Sequence, residues 1–178
     1  MFLLLDNYDS FTWNIFHYIS SFNVKVEVIR NDKISAEKVK LKNYTGIIFS
    51  PGPGRPEHAG NMMSIIQNCY NKVPMLGICL GHQAIGKAFG AEITKMKKVM
   101  HGRIDVIKYI KKNALFKKIP LEFHATRYHS LEINKRNLPD KIEVFALSSK
   151  KNIMAIKIKN KKIYGVQFHP ESISTEYG

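Results

Sequence analysis

The stretch PMLGICLGHQAIGKAF, residues 74–89, decides the fold of this chain. Residues 74–79 are a short apolar run of the kind that forms a buried strand, and residues 80–89 are predicted to form the helix that follows. Gly77 and Gly81 flank the junction, which leaves room for a sharp turn from strand into helix. Strands that alternate with helices are typical of a parallel sheet covered by helices on both faces.

The residues before this stretch show the same alternation. Apolar runs at 2–5, 24–29 and 46–50 predict three more strands, and residues 11–22 and 59–70 carry apolar side chains at helical spacing. The first half of the chain therefore predicts an open, mostly parallel sheet flanked by helices.

The second half of the chain has a different pattern. Residues 104–110, 142–147, 153–158 and 163–168 are strand-like and are separated by turn residues. A block of strands after a β-α-β half indicates an antiparallel extension of the same sheet. The predicted fold class is α/β, and the 178 residues fit one domain, 1–178, better than two.

Composition excludes several classes of protein. Hydrophobic residues make up 44% of the chain, yet no apolar run approaches the ~18 residues that would span a bilayer. The first apolar run has no basic segment before it and stops at Asp6, so we do not expect it to be a signal peptide. With two cysteines and no export signal, we expect a reducing compartment, cytoplasmic or, if a transit peptide has been removed, organellar.

The chain is strongly basic, with 28 Lys and Arg against 14 acidic residues and a formal charge of +14. Such a charge fits nucleic-acid binding, a lysine-rich solvated surface or an acidic protein partner. The basic residues are spread along the chain, and no nucleic-acid motif accompanies them. We therefore expect no nucleic-acid partner.

Cys79 lies at the junction of strand and helix, within Gly77-Ile78-Cys79-Leu80-Gly81. A nucleophile on such a turn exposes its side chain above the sheet. The amino end of the helix also favours a thiolate over a thiol. The alternative is a small core cysteine, which is the commoner fate of this residue in general. The flanking glycines favour the nucleophile.

His169 and Glu171 follow the last predicted strand, with Pro170 between them. Residues two apart in extended backbone face the same side, which places the carboxylate near the imidazole. A carboxylate there fixes the tautomer of the imidazole, while the other ring nitrogen serves a thiol. Alone this tripeptide fits a surface turn, but with a cysteine elbow it predicts a catalytic triad.

The segment Ser50-Pro51-Gly52-Pro53-Gly54 follows the third strand. Neighbouring parallel strands end at the same edge of a sheet, so this loop can lie beside Cys79. Backbone N–H groups of Gly52 and Leu80 could then form an oxyanion hole. The alternative is a plain tight turn.

Motifs along nearly the whole chain resemble the class I, or triad, glutamine amidotransferases. Within that family the resemblance is to the small subunits of anthranilate synthase and aminodeoxychorismate synthase, and the opening segment does not resemble that of GMP synthetase subunits. The motifs in chain order are LDNYDSFTWN (5–14), RND (30–32), SPGPG (50–54), GICLGHQ (77–83), MHG (100–102), RYHSL (127–131) and GVQFHPES (165–172).

This resemblance implies a flavodoxin-like domain that takes ammonia from L-glutamine and supplies it to a chorismate-using synthase subunit. By position, Cys79 matches the nucleophile, His169 the base and Glu171 its orienting partner. Members of the family continue past residue 178 into a final helix, so the expected domain lacks that helix. The remaining matches concern glutamine binding: Gly52, Pro53 and Gly54 lie against the substrate, Gln83 binds it, and the Ser130 and Leu131 backbone reads its amino-acid end.

No step of this chemistry requires an organic cofactor or a metal, and the histidines do not group at zinc-like spacings with Cys69 or Cys79. Three interpretations remain open: an amidotransferase subunit, a stand-alone γ-glutamyl thiol hydrolase and a non-catalytic regulatory subunit. Gln83 and the opening segment oppose the second, and the intact triad opposes the third. Of the two acceptor pathways, or one chain that serves both, the resemblance favours anthranilate.

Overall fold

The computed structural model describes residues 1–111 and 113–178. The helices in this part of the chain are α1 (Thr12–Ser20), α2 (Ala36–Leu41), α3 (Met62–Cys69) and α4 (Leu80–Ala88), with short 3-10 turns at Pro56–His58 and Ala114–Phe116. The strands are β1 (Phe2–Asp6), β2 (Val26–Arg30), β3 (Gly46–Phe49), β4 (Met75–Ile78), β5 (Ile93–Lys95), β6 (Arg103–Tyr109), β7 (Glu122–Arg127), β8 (Leu131–Ile133), β9 (Ile142–Ser148), β10 (Ile153–Ile158) and β11 (Ile163–Val166).

Nine of these strands form one sheet in the order β2-β1-β3-β4-β11-β10-β9-β6-β7, while β5 and β8 form a separate pair. Pairing is parallel from β2 to β11 and antiparallel from β11 to β7. The predicted α/β class, with a mostly parallel half and an antiparallel extension, is confirmed.

The last strand joins the two halves of the sheet. β11 pairs antiparallel with β10 and parallel with β4, with Gly165 opposite Gly77. The carboxyl ends of β3, β4 and β11 consequently lie side by side at one edge of the sheet. Those three ends carry the loop at 50–54, Cys79 and the segment at 167–171.

Two apolar layers hold the helices against the sheet. Alternate residues of β1 point to opposite faces, so Leu3 and Leu5 pack with α2, α3 and α4, whereas Leu4 packs with Ile15 of α1. Each fully buried side chain of this kind stabilises the fold by about 1.5–3 kcal/mol. The helix that follows Cys79 is buried along most of its length, from Leu80 to Gly86, which fixes its amino end firmly.

Several elements differ from the sequence prediction. The helix predicted at 59–70 begins only at Met62, because residues 56–58 form a separate 3-10 turn. Helix α2 and strands β5, β7 and β8 were not predicted. Strands β5 and β8 have three residues each, which are too few to show a period, and α2 and β7 have six each and mix polar with apolar residues. No helix in the described ranges combines the length and hydropathy that crossing a bilayer demands.

The segment that follows β11 runs along the outer edge of β7. The N–H of His169 donates to the Thr126 carbonyl at 3.0 Å, and the N–H of Glu176 donates to the His124 carbonyl at 2.9 Å. In return, the N–H groups of Thr126 and His124 donate to the side chains of Thr175 and Glu176. These bonds fix the backbone of His169 relative to the sheet.

Candidate active site

Cys79 stands alone between β4 and α4, with φ of 51° and ψ of −97°. A residue other than glycine at positive φ costs on the order of 1–3 kcal/mol, which surrounding contacts must offset. Its N–H donates to the Val166 carbonyl at 2.9 Å. The chain can turn this sharply because Gly77 and Gly81 pack backbone to backbone, and a Cβ on Gly77 would collide with the Gly81 carbonyl. Such a turn presents the side chain above the end of the sheet.

His169 and Glu171 form a buried pair behind the elbow. The Nδ1 of His169 lies 2.6 Å from Oε1 of Glu171, and both residues are 3% exposed. The Nε2 of His169 has no hydrogen-bond partner among the described residues, so it is available to the thiol. Nδ1 therefore donates its proton to the carboxylate, and the imidazole is oriented as a general base requires.

The surroundings of His169 stabilise the imidazolium that would form if Nε2 took the Cys79 proton. Burial alone would lower the pKa of His169, but the Cys79 sulfur, once deprotonated, and the Glu171 carboxylate outweigh it and raise the pKa to about 10. The imidazole also meets two aromatic rings edge to face, with centroid distances of 5.1 Å to Tyr128 and 6.1 Å to Phe11, and those two rings lie 5.8 Å from each other. Contact with this aromatic cluster restricts rotation of the imidazole.

A cavity of about 160 Å³ opens beside the Cys79 side chain. Every residue predicted to bind glutamine or its oxyanion lines it, together with Tyr128 and His129: Gly52, Pro53, Gly54, Leu80, Gln83, Ser130 and Leu131. The walls come from three separate parts of the chain, which the sheet topology brings to one edge. The arrangement leaves room for a small substrate directly against the sulfur.

Gln83 lines this cavity, but its amide nitrogen is already engaged. That nitrogen donates to the Leu131 carbonyl at 3.0 Å and to Oε1 of Gln167 at 3.1 Å. Gln83 can therefore offer a substrate only its amide oxygen. Gln167 is completely buried, and its own amide nitrogen lies 3.5 Å from the Cys79 sulfur.

Cys69, the second cysteine, lies elsewhere. It is 1% exposed within α3, and its sulfur lies 3.9 Å from the Ala36 carbonyl. Burial raises the pKa of the Cys69 thiol, so this residue has the environment of an inert core side chain. Within residues 1–111 and 113–178, no three His, Cys, Asp or Glu side chains lie close enough together to hold a metal ion.

Two further buried histidines give a testable acid response. Burial lowers the pKa of His82 to about 4, and burial together with the Arg127 charge lowers the pKa of His129 to about 3. Between pH 6.5, the ordinary value, and these values, the unfolded chain binds more protons than the folded chain. The free energy of unfolding should therefore decrease as the pH is lowered through this range, by up to about 3 kcal/mol per pH unit.

Urea unfolding midpoints between about pH 6 and about pH 5 would measure this slope. His169 contributes little in this window, because its raised pKa keeps it protonated in the folded chain and the unfolded chain is also mostly protonated there. The variant His82→Gln should remove about half of the slope. A midpoint that does not change over this range would contradict the assignment of neutral, buried histidines.

Comparison with known proteins decides the family. The sequence model of the glutamine amidotransferase class-I family matches residues 3–178. The chain belongs to this family. Anthranilate synthase component 2 of Cyanophora paradoxa is 48% identical over 100% of this chain and 94% of its own length, and that of Pseudomonas aeruginosa is 42% identical over 100% and 90%. The bifunctional protein TrpGD of Thermotoga maritima is 44% identical over 99% of this chain but only 30% of its own length.

Solved structures agree with this membership. A Thermoplasma acidophilum protein described as a candidate GMP synthase component superposes with a TM-score of 0.87 at 27% identity, over 99% of this chain and 86% of its own. A glutamine amidotransferase of Thermotoga maritima superposes with a TM-score of 0.80 at 18% identity, over 96% of this chain and 75% of its own. At this identity the likeness shows the fold alone.

For a class-I glutamine amidotransferase, three residues at this site had no role in the sequence argument, although the motifs contained them. They are Phe11 and Tyr128, which contact the His169 ring, and Gln167, which contacts Cys79. Sequence spacing could not find Phe11 and Tyr128, because each reaches the site from a different part of the chain. The alternation at 167, 169 and 171, all on one side of an extended chain, could have indicated Gln167.

Proposed function

We propose that this class-I glutamine amidotransferase hydrolyses L-glutamine with a Cys79-His169-Glu171 triad and supplies ammonia to a chorismate-using synthase subunit, that of anthranilate synthase. The observation that carries the proposal is the position of Cys79. It stands at a strained elbow, faces a cavity lined by the glutamine-binding residues of the family, and has the His169–Glu171 pair behind it.

In the first half-reaction, Nε2 of His169 takes the thiol proton and the Cys79 sulfur attacks the side-chain carboxamide carbon of glutamine. The carbonyl oxygen gains negative charge, which the N–H groups of Gly52 and Leu80 stabilise; both residues line the cavity beside the sulfur. His169 then returns its proton to the leaving nitrogen, and ammonia departs. Cys79 remains as a γ-glutamyl thioester.

In the second half-reaction, His169 takes a proton from water and the resulting hydroxide attacks the thioester carbon. The carbon–sulfur bond breaks, the proton returns to Cys79, and glutamate leaves. Glu171 keeps its hydrogen bond from Nδ1 throughout and stabilises the imidazolium that forms twice per cycle. Its hydrogen bond of 2.6 Å to Nδ1 is suited to that work.

The partner follows from the curated relatives, which are named anthranilate synthase component 2. A second component numbered in this way implies a first, and ammonia made here would be protonated in water unless an acceptor lies close. We therefore infer a heteromer with a synthase that consumes the ammonia. Residues 1–178 would act in it as one amidotransferase domain, since the nine-stranded sheet joins both halves. The two free cysteines suit a cytoplasmic protein.

A strongly basic surface lies next to the active site. It borders a cavity of about 620 Å³ and is formed by Lys95, Lys97, Lys98, Lys135, Arg136 and Lys150, here called the basic basin. None of these cations forms an ion pair within the described residues. The loop at 96–100 is tied to the glutamine cavity, because the Met96 and Met100 N–H groups donate to the Ser130 and His129 carbonyls. An acidic face of the synthase fits this surface.

We expect glutamine hydrolysis by the purified chain to be slow alone and to rise roughly tenfold or more when its synthase and chorismate are added, with anthranilate as product. The reason is that synthase binding would order the loop at 52–54 or the elbow and so complete the oxyanion hole. Stimulation should weaken with salt, as the Debye length falls from about 10 Å at 0.1 M to about 3 Å at 1 M.

The double variant Lys97→Glu/Lys98→Glu should weaken synthase binding, whereas Lys117→Glu/Lys118→Glu, an equal charge change on another exposed pair, should not. Full activity without any synthase, and no stimulation by one, would instead identify a stand-alone γ-glutamyl hydrolase. Amination of chorismate to aminodeoxychorismate in place of anthranilate would assign the other pathway.

A further inference from the structure

We propose that Gln167 is a positioning residue for Cys79. The side-chain N–H of Gln167 holds the reactive sulfur, and a buried hydrogen-bonded chain that starts at the Leu131 carbonyl sets the orientation of the Gln167 amide. The proposal rests on the function proposed above, in which Cys79 is the nucleophile. It adds Gln167 as a fourth side chain to the triad of Cys79, His169 and Glu171.

The contacts that define the chain of bonds are all buried. Gln167 is 0% exposed and Gln83 3% exposed. The Gln167 amide nitrogen lies 3.5 Å from the Cys79 sulfur, and its amide oxygen accepts from the Gln83 nitrogen at 3.1 Å. Because Gln167 is completely out of water, its amide nitrogen and its amide oxygen must both find their partners inside the protein.

The direction of each amide follows from one atom that can only accept. The carbonyl oxygen of Leu131 accepts from the Gln83 nitrogen at 3.0 Å, so Gln83 cannot be turned around without placing two oxygens together. The second N–H of Gln83 then points to Gln167, whose oxygen must face it. The nitrogen of Gln167 is consequently the atom that faces sulfur.

A second donor holds the Leu131 carbonyl in place. Nδ1 of His129 lies 2.8 Å from it, and Nε2 of the same ring accepts from Nε of Arg127 at 3.0 Å. Arg127 is 1% exposed and is itself paired with Asp105. The lowered pKa of His129, about 3, keeps the ring neutral with its proton on Nδ1. The chain of bonds therefore has a fixed proton order from Arg127 to Cys79.

This order has a consequence for the reaction. When Cys79 gives its proton to His169, the Gln167 N–H faces a negatively charged sulfur, and hydrogen bonds to charged groups are stronger than those between neutral groups. The same bond limits rotation of the sulfur toward the core. Since Leu131 also lines the substrate cavity, one hydrogen-bonded chain joins the cavity wall to the nucleophile.

The test compares Gln167→Met, which keeps the length of the side chain but removes the donor, with the parent chain in complex with its synthase. We expect kcat for glutamine hydrolysis to fall about 10- to 100-fold with KM within about twofold of the parent. Alkylation of Cys79 by iodoacetamide, followed on the Cys79 peptide by mass spectrometry, should slow by a similar factor. This reagent needs no glutamine site, so it reports on the sulfur alone.

Ser172→Ala is the matched control, because it removes another buried hydrogen bond near the triad, to the Thr126 hydroxyl, without touching the sulfur. It should lower the unfolding midpoint about as much as Gln167→Met but leave the alkylation rate within about twofold. If Gln167→Met does not fold, Gln167→Glu has the parent shape and still accepts from Gln83. It should slow alkylation at least as much.

Coupling tests the chain of bonds itself. The effects of Gln83→Met and Gln167→Met on the alkylation rate should be less than multiplicative in the double variant, since either change breaks the same chain. Multiplicative effects, or an unchanged alkylation rate in both Gln167 variants, would overturn the proposal. Failure of the proposed function would give a different result, because Cys79→Ser would then still hydrolyse glutamine.

Discussion

Cys79→Ser should reduce glutamine hydrolysis by the synthase-bound chain by about 10,000-fold or more. A serine hydroxyl gives up its proton to His169 far less readily than a thiol does, and no second thiol lines the described part of the cavity. Glutamate release measured under saturating glutamine would show the loss. The unfolding midpoint should change little, because serine is close in volume and the elbow backbone stays the same.

Cys69→Ser is the control for this variant. Its sulfur lies in the core beneath α2 and makes no contact with the cavity, so activity should remain near that of the parent chain. The change buries a hydroxyl, so the cost should appear as stability, about 1–3 kcal/mol. A glutamine analogue that alkylates its target should label the Cys79 peptide. Label on the Cys69 peptide would show that the nucleophile is wrongly assigned.

Glu171→Gln should lower kcat by about 1,000- to 10,000-fold while leaving the geometry of the site nearly unchanged. The amide oxygen can still accept from Nδ1 of His169, 2.6 Å away, but the neutral amide no longer stabilises the imidazolium. The transfer of the thiol proton to His169 then becomes much less favourable. Steady-state kinetics together with alkylation of Cys79 would measure the loss.

The chain contains a matched control for this variant as well. Glu176 bonds Nδ1 of His124 at 3.3 Å, and that pair is exposed on the surface. Glu176→Gln makes the same chemical change in a histidine–carboxylate pair but should leave kcat within about twofold, since exposed pairs contribute little. Equal losses in the two variants would indicate a general effect on folding rather than a specific one on His169.

The sequence was sufficient to predict the parallel half of the sheet because β1, β3 and β4 are short apolar runs and β2 alternates apolar and charged residues, with helical patterns between them. The elbow was equally clear, since Gly77 and Gly81 have few other uses at a strand end. The pairing of His169 with Glu171 followed from the period of an extended chain. Each of these inferences needed only local geometry.

What could not be predicted depends on contacts between distant segments. No local pattern says that β11 leaves the antiparallel block to lie beside β4, yet that placement brings His169 to Cys79. The direction of the Gln83 amide depends on the Leu131 carbonyl, 48 residues away. The order of strands in space and the orientation of buried amides are properties of the assembled core, and short elements such as β8 are formed by pairing rather than by propensity.

The segment at 169–176 has a consequence for how this protein behaves beside its own copies. A sheet whose last strand has open N–H and C=O groups is a template on which another chain can add a strand and aggregate. On β7 those groups at His124 and Thr126 are already taken by His169, Thr175 and Glu176. The backbone hydrogen bond that fixes His169 also covers the free edge of β7. The contacts that hold the candidate base in place therefore also protect this edge against edge-to-edge aggregation.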